Sequence, residues 1–172
     1  MELQEAILRR RSIRKYTDQE VSDEHIRALL EAAYWAPRVN ERWRYIIVRD
    51  PGTKRSFGAQ EHVVAAPVNI VVCIDLRGAS QRDRELYAMQ EASAAIQNIL
   101  LKAHELGLGA CWNGSFDDDK VKQALGLPEE VRPIAIISLG HPAEKKEKGL
   151  RRKKLEEIVF WERWGNSGRE RC

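Results

Sequence analysis

Cysteine is scarce in this chain, with only Cys73, Cys111 and Cys172 among 172 residues. An odd number at wide spacing excludes a disulfide framework and suits a reducing compartment. Long apolar runs are missing too, since none approaches the roughly 20 residues that cross a bilayer. The start, Met1-Glu2-Leu3-Gln4-Glu5, is acidic and amphipathic, unlike the basic and then apolar start of a secretory signal. A cytoplasmic protein without a membrane partner is expected. The four histidines, His25, His62, His104 and His141, make no HExxH pattern and no ligand spacing with cysteine, so no metal site is expected. No glycine completes a dinucleotide fingerprint after Gly107-x-Gly109, and no Walker-type loop occurs. A Rossmann or P-loop fold therefore lacks motif support, and any nicotinamide would bind transiently. A large excess of one charge is also absent: the net charge is +3 within a charged fraction of 32%, so basic groups matter by where they cluster.

What is present is enough for one core. A chain of this length with 43% hydrophobic residues forms a single domain over 1–172, in which 143–172 reads as a basic linker and C-terminal arm. Leu3, Ala6, Ile7 and Arg10 share one face of a short first helix. A second helix opens at Ser22, with Asp23 and Glu24 at the positive end of its dipole and a Val21–Ile26 staple, and stops at Ala36-Pro37. Its buried stripe is expected to be Ile26, Leu29, Leu30 and Ala33. Strands are predicted over 44–49 and 68–75, the second an almost unbroken apolar run of the kind found mid-sheet, with a turn at Asp50-Pro51-Gly52. The longest helix is predicted over 82–106 from the recurrence of Leu86, Met89, Ser93, Ile96, Leu100 and Ala103, and Gly107 ends it. Ala92, Ser93, Ala94 and Ala95 would let another helix approach closely, within the chain or across a subunit boundary. A strand over 109–113, a helix opened by Asp117-Asp118-Asp119 and closed by Gly126, and a strand over 132–139 complete the body. No internal repeat is visible. The tail then holds five lysines and two arginines between Ala143 and Lys154 before Ile158, Val159, Trp161 and Trp164 restore apolar character. Such a stretch docks on the chain's own body or on a partner.

Two cationic clusters carry the chemistry. Arg10-Arg11-Ser12-Ile13-Arg14-Lys15-Tyr16 sets a hydroxyl among guanidinium groups, and Arg151-Arg152-Lys153-Lys154 repeats the charge near the end. A guanidinium gives a phosphate ester two parallel charge-assisted hydrogen bonds, and a serine hydroxyl adds a third. Arg10, Ser12 and Arg14 alternate, so an extended segment sends all three to one side. Taken alone, the segment reads more readily as a solvated face than as a phosphate cradle. Gly107-Leu108-Gly109-Ala110-Cys111-Trp112-Asn113-Gly114 supplies a small-residue turn into a strand.

RRSIRKY, EAAYWAPRVN, RWRYIIV, AAPVNIVV, QEASAAIQNILLKAHELGLGACWNGSF and RRKKLEEIVFWERW together resemble the FMN-dependent nitroreductase family over nearly the whole length. The resemblance implies an α+β fold, a mixed sheet flanked by helices, assembled as an intertwined homodimer with reaching C-terminal arms and FMN between subunits. It implies that Arg10, Arg11, Ser12 and Arg14 meet the flavin phosphate, ribityl chain and pyrimidine edge. Arg14 would lie at the N1 and O2 edge, and Arg151 and Arg152 would reach the phosphate. Cys111, Trp112, Asn113 and Gly114 would run along the ring near N5. One departure falls on the site. Where the family often reads Pro-Ser-x-x-Asn-x-Gln-Pro-Trp, in a loop reaching the neighbouring subunit's flavin, this chain has Pro37-Arg38-Val39-Asn40-Glu41-Arg42-Trp43, two residues shorter. Asn40 keeps the asparagine, Arg42 stands near the glutamine, and Arg38 replaces the serine.

The implied enzyme is an NAD(P)H-dependent FMN oxidoreductase. NADH or NADPH passes hydride to the flavin and a small-molecule electron acceptor, a quinone, nitroaromatic or flavin, then takes it in ping-pong order, with no general acid from the protein. Alternatives are a specialised flavin-binding relative that dehalogenates, cleaves flavin or senses it, and nucleic-acid binding through the basic tail. The expected partners are a second copy and the acceptor, with no nucleic acid.

Overall fold

A strand buried on both faces needs neighbours on both edges, and Val68–Asp75 (β2) is buried at every position. In the computed structural model, which describes residues 1–147 and 153–167, it is flanked by Trp43–Val48 (β1) and Val131–Gly140 (β4). Gly109–Asn113 (β3) pairs with the far edge of β4, giving the order β1-β2-β4-β3. All three pairings are antiparallel. The parallel component of the expected mixed sheet is a single bridge, Ser12 to Ala110, through which the N-terminal segment covers the outer edge of β3. β1 begins and ends one residue before the sequence expectation. Trp43 already pairs with Ile74, whereas Arg49 leaves the ladder to donate to the Val21 carbonyl at 2.8 Å and to Asp23 at 2.6 Å.

Alternation along the strands divides the core in two. Ile70, Val72 and Ile74, with Ala135, Ile137 and Leu139, face Asp23–Tyr34 (α2) and Ala88–Glu105 (α5). Val71, Cys73 and Ile136 face Phe57, Val63 and Val121 on the side of Pro51–Arg55 (α3), Glu61–Ala65 (α4) and Asp118–Leu125 (α6). Burial pushes the Cys73 thiol up to about 12, so it is a packed and unreactive group.

Helix starts follow their caps. Ser22 accepts from the His25 N–H at 3.2 Å, and Asp117 accepts from the Lys120 N–H at 3.1 Å. Asp50, expected only to turn the chain, caps α3 by accepting from the Thr53 N–H at 2.6 Å. Neither α3 nor α4 was expected, because five residues carry no helical period to recognise. The predicted long helix is divided: Asp83–Tyr87 forms a wide π turn before α5. Within α5, Ile96, Leu100 and Ala103 are buried as expected, while Met89 in its first turn is exposed. α5 packs on α2, where Asn98 Nδ2 donates to the Ala32 carbonyl at 3.0 Å.

Leu3–Arg9 (α1) rests on α5 and leads into the cationic segment. Among the described residues beyond 153 the chain forms a short helical turn, Leu155–Glu157, and a second turn closed by the Asn166 N–H donating to the Arg163 carbonyl at 3.2 Å. Leu155, Ile158, Trp161 and Trp164 stay exposed, Trp164 by 91%, so the arm does not bury them on its own body. Among the described residues no helix is long and apolar enough to cross a membrane, and no group of three metal-ligating side chains occurs.

Candidate functional site

The cationic segment is held where the edge of β3 needs a partner. The Ile13 N–H donates to the Ala110 carbonyl at 3.0 Å beside the Ser12–Ala110 bridge. Gly109 permits this approach, because a β-carbon there would sit 2.7 Å from Ile13 Cγ2. The contact is parallel, so the chain runs from Ser12 to Arg14 as β3 runs from Ala110 to Trp112. Residues 141–147 return over the same segment. Thr17 N–H donates to the His141 carbonyl and Ala143 N–H to the Lys15 carbonyl, both at 2.9 Å. Lys146 Nζ donates to the Ser12 carbonyl at 2.7 Å, and Arg11 Nε donates to the Glu147 carbonyl at 3.0 Å.

One carboxylate organises these cations. Glu144 Oε1 accepts from the Arg14 N–H at 2.7 Å and the Lys15 N–H at 3.3 Å, and pairs with Lys146 at 3.2 Å. The Arg14 amide, more than any other group, holds its carboxyl below the usual glutamate range. A cavity of about 510 Å³ opens beside it, lined by Arg10, Arg11, His104, Leu108, Lys145 and Lys146 among others. Burial first, and then the Arg10 guanidinium, lower the His104 pKa, so the imidazole stays neutral at pH 7. The lining is thus cationic by arginine and lysine, which suits a phosphate.

Of the residues singled out from sequence, Arg10 and Arg11 line this cavity and are half-buried, whereas Ser12, half-buried, and Arg14, exposed, follow on the same segment outside its lining. Along β3 the pleat turns Cys111 and Asn113 inward, 1% and 5% exposed, and leaves Trp112 outward. The Cys111 thiol is a small packed group, and the Asn113 amide is fully engaged inside the protein. The turn therefore offers a ligand the Trp112 ring and Gly114, the exposed residues of 111–114. Arg151 and Arg152 lie outside the described residues.

Asn40 and Arg42 sit elsewhere. They adjoin the Asp75 end of β2, whereas Ser12 adjoins the strand ends near Val68 and Gly140, about 23 Å away at roughly 3.3 Å per residue. Asn40 Nδ2 donates to Asp83 Oδ1 at 2.6 Å, and Arg42 pairs with Asp83 at 3.6 Å while donating to the carbonyls of Asp75 and Arg77. Arg38 pairs with Glu41. Within one chain, the guanidinium groups of this short loop are engaged by its own residues, and the loop does not meet the cationic cavity.

Sequence reading missed two groups. One is Glu91, which accepts the N–H groups of residues 39–42; its only signal was a carboxylate on the inner face of a helix. The other is the buried polar chain His62, Asn113, Ser138 and Tyr16, whose members are far apart in sequence and carry no local pattern.

A sequence profile described as the nitroreductase family matches residues 7–60 and 52–141. A protein of Methanothermobacter thermautotrophicus, provisionally named NADH dehydrogenase/NAD(P)H nitroreductase, is 43% identical over 156 residues, covering 84% of this chain and 79% of its own. The NADPH-dependent FMN reductase of Bacillus subtilis is 32% identical over 162 residues, covering 81% of this chain and 65% of its own. The solved structure of the NfrA1 nitroreductase of Bacillus subtilis superposes with a TM-score of 0.85 at 29% identity, covering 95% and 75% of the two chains. With the profile spanning most of the polypeptide and 95% of the chain superposing on a nitroreductase, the chain belongs to the nitroreductase family.

Proposed function

We propose that the cationic edge of β3 is the FMN site of an NAD(P)H-dependent flavin oxidoreductase. The observation that carries this is the meeting of Arg10–Lys15 with β3 and with Lys145 and Lys146, three stretches distant in sequence, around one cavity. The donor set fits the cofactor. Arginine and lysine suit its phosphate, the Ser12 hydroxyl its ribityl chain, and the exposed Trp112 ring and Gly114 its flat ring system. Arg10, Arg11 and the lysines would hold the phosphate, with Arg151 and Arg152 added from the tail. Arg14 would supply a cation at the pyrimidine edge, where it favours the more negative reduced form. Bound FMN supplies the redox chemistry, taking hydride at N5 from NADH or NADPH and yielding it in ping-pong order to a quinone, nitroaromatic or flavin. Among the described residues that line the cavity, His104 is neutral and so offers no general acid, and Glu144 is spent on amides and a lysine.

The test is an absorption spectrum of freshly isolated protein before and after anaerobic NADH. A flavin band that bleaches is expected; a protein that stays colourless when mixed with FMN overturns the assignment. Arg10→Ala or Arg14→Ala should weaken FMN retention by about 1.5–3 kcal/mol, read as a tenfold to hundredfold rise in Kd by fluorescence titration.

We further propose a homodimer in which the C-terminal arm covers the other copy. β1 has a free outer edge, and beside it Ile26, Leu30 and Ile47 line an open groove of about 880 Å³. The arm's exposed Leu155, Ile158, Trp161 and Trp164 match it in character and have no site on their own body. Trp161→Glu with Trp164→Glu should convert a dimer to a monomer in sedimentation velocity; a dimer that survives both changes refutes the arm's role.

A further inference from the structure

A continuous line of hydrogen bonds crosses the sheet beneath the cationic edge. His62 Nε2 lies 2.6 Å from Asn113 Oδ1. Asn113 Nδ2 reaches the carbonyls of Cys111 at 2.9 Å and Ile136 at 2.8 Å, and Ser138 Oγ at 3.1 Å. Ser138 Oγ lies 2.9 Å from the Tyr16 hydroxyl, which in turn lies 2.5 Å from the Ile13 carbonyl. Asn113 and Ser138 are buried, 5% and 0% exposed.

The direction of the bonds in this line follows from their acceptors and distances. Carbonyl oxygens only accept, so the Asn113 group facing Cys111 and Ile136 must be its NH₂, and its oxygen therefore faces His62. His62 Nε2 must then donate. The two Asn113 NH₂ hydrogens are shared among the Cys111 and Ile136 carbonyls and Ser138 Oγ. The tyrosine proton goes to the Ile13 carbonyl at 2.5 Å, so the serine proton goes to the Tyr16 oxygen. All four donors point the same way, an arrangement in which each bond polarises the next. Burial above all raises the Tyr16 pKa, so the phenol remains a donor throughout the neutral range.

The end of the line matters because of which peptide it grips. The Ile13 carbonyl and the Arg14 N–H belong to one peptide group. The carbonyl is held by Tyr16, and the N–H by Glu144 at 2.7 Å. That peptide joins Ile13, seated on β3, to Arg14. The other end of the line fixes the Cys111 carbonyl and the Asn113 side chain, on the strand that carries Trp112 and Gly114.

We infer that His62, Asn113, Ser138 and Tyr16 are positioning residues that set Arg14 and the 111–114 backbone as one rigid unit facing the flavin. Resting on the FMN assignment above, this identifies what tunes that site. None of the four needs to touch the cofactor; they act through the Ile13–Arg14 peptide and through β3. Loosening that peptide frees the Arg14 side chain to swing into water. The loss falls on the reduced, more negative flavin more than on the oxidised one.

The experiment compares full-length protein loaded with FMN, as wild type, Tyr16→Phe, His62→Leu and His62→Gln. The readouts are FMN Kd and the midpoint potential of the bound flavin. Tyr16→Phe keeps the ring and removes only the hydroxyl. It should weaken binding of reduced FMN about tenfold more than binding of oxidised FMN, which for a two-electron couple shifts the potential by about 30 mV to more negative values. His62→Leu should shift it the same way by less, and His62→Gln, whose amide can still donate to Asn113, should restore it. Variants that merely lose thermal stability while the potential stays at the wild-type value refute the inference. Should Tyr16→Phe fail to fold, the two His62 variants decide by the same criterion. Wild-type protein that takes up no FMN instead refutes the assignment on which the inference rests, so the two failures are told apart.

Discussion

Glu91→Ala should lower folding stability by about 3–5 kcal/mol, one of the largest losses available from a single polar side chain in this protein. The carboxylate is 4% exposed and accepts four backbone amides. Oε2 takes the N–H groups of Val39 at 2.9 Å, Asn40 at 3.0 Å and Glu41 at 3.2 Å, and Oε1 takes that of Arg42 at 2.6 Å. Consecutive amides can converge on one point only if the backbone curls around it, and Glu41 has a φ of +52°. A non-glycine residue there costs on the order of 1 kcal/mol, which the four bonds offset. Alanine leaves the donors without their acceptor beside an apolar helix face. Glu91→Gln should also destabilise, because its NH₂ faces donors. Urea unfolding measures the effect; a midpoint change worth less than about 1 kcal/mol at unchanged m would mean that the loop simply turns its amides to water.

The same carboxylate shows why some of this protein can be read from its sequence and some cannot. The ends of α2 and α6, the bounds of β2 and β3, and the buried stripe of α2 were legible because each depends on neighbours in the chain: a cap, an apolar run, a period of 3.6. Leu30 alone in that stripe is half-buried, at the lip of the groove beside β1. The π turn was not legible, since one inserted residue leaves the local pattern unchanged and only alters its phase. Arg10, Ser12 and Arg14 stood out by their charge and alternation, which alone suit a solvated face more readily than an anion site, and their seat on β3 depends on a strand almost a hundred residues away. Asn113 was singled out for the backbone of 111–114, a reading that says nothing of its side chain, which the pleat turns into the His62–Tyr16 line. Glu91 and Asp83 read as ordinary surface charges of a helix until the loop at 38–42 is folded onto them.

Gly109→Ala should dislodge the cationic segment from β3, raising the FMN Kd at least a hundredfold and costing about 3 kcal/mol of stability. A β-carbon at this position would lie 2.7 Å from Ile13 Cγ2 and 2.9 Å from Ile13 Cβ. Rotating the isoleucine relieves only the first contact, because Cβ is fixed to the backbone. The backbone of residues 12–14 must therefore retreat, and with it go the Ile13–Ala110 hydrogen bond and the bridge that sets Arg10, Ser12 and Arg14 along the strand. Gly107→Ala is the matched control. Gly107 has a φ of +74° but nothing within 4 Å of a β-carbon, so alanine there should cost about 1–2 kcal/mol through backbone strain and leave the segment in place. Both variants should melt below wild type, and only Gly109→Ala should lose the flavin. Equal retention of FMN by the two would show that the contact with β3 does not place the arginines. Equal loss would show that retention follows stability alone, whereas selective loss ties cofactor binding to the single point where the cationic segment meets the sheet.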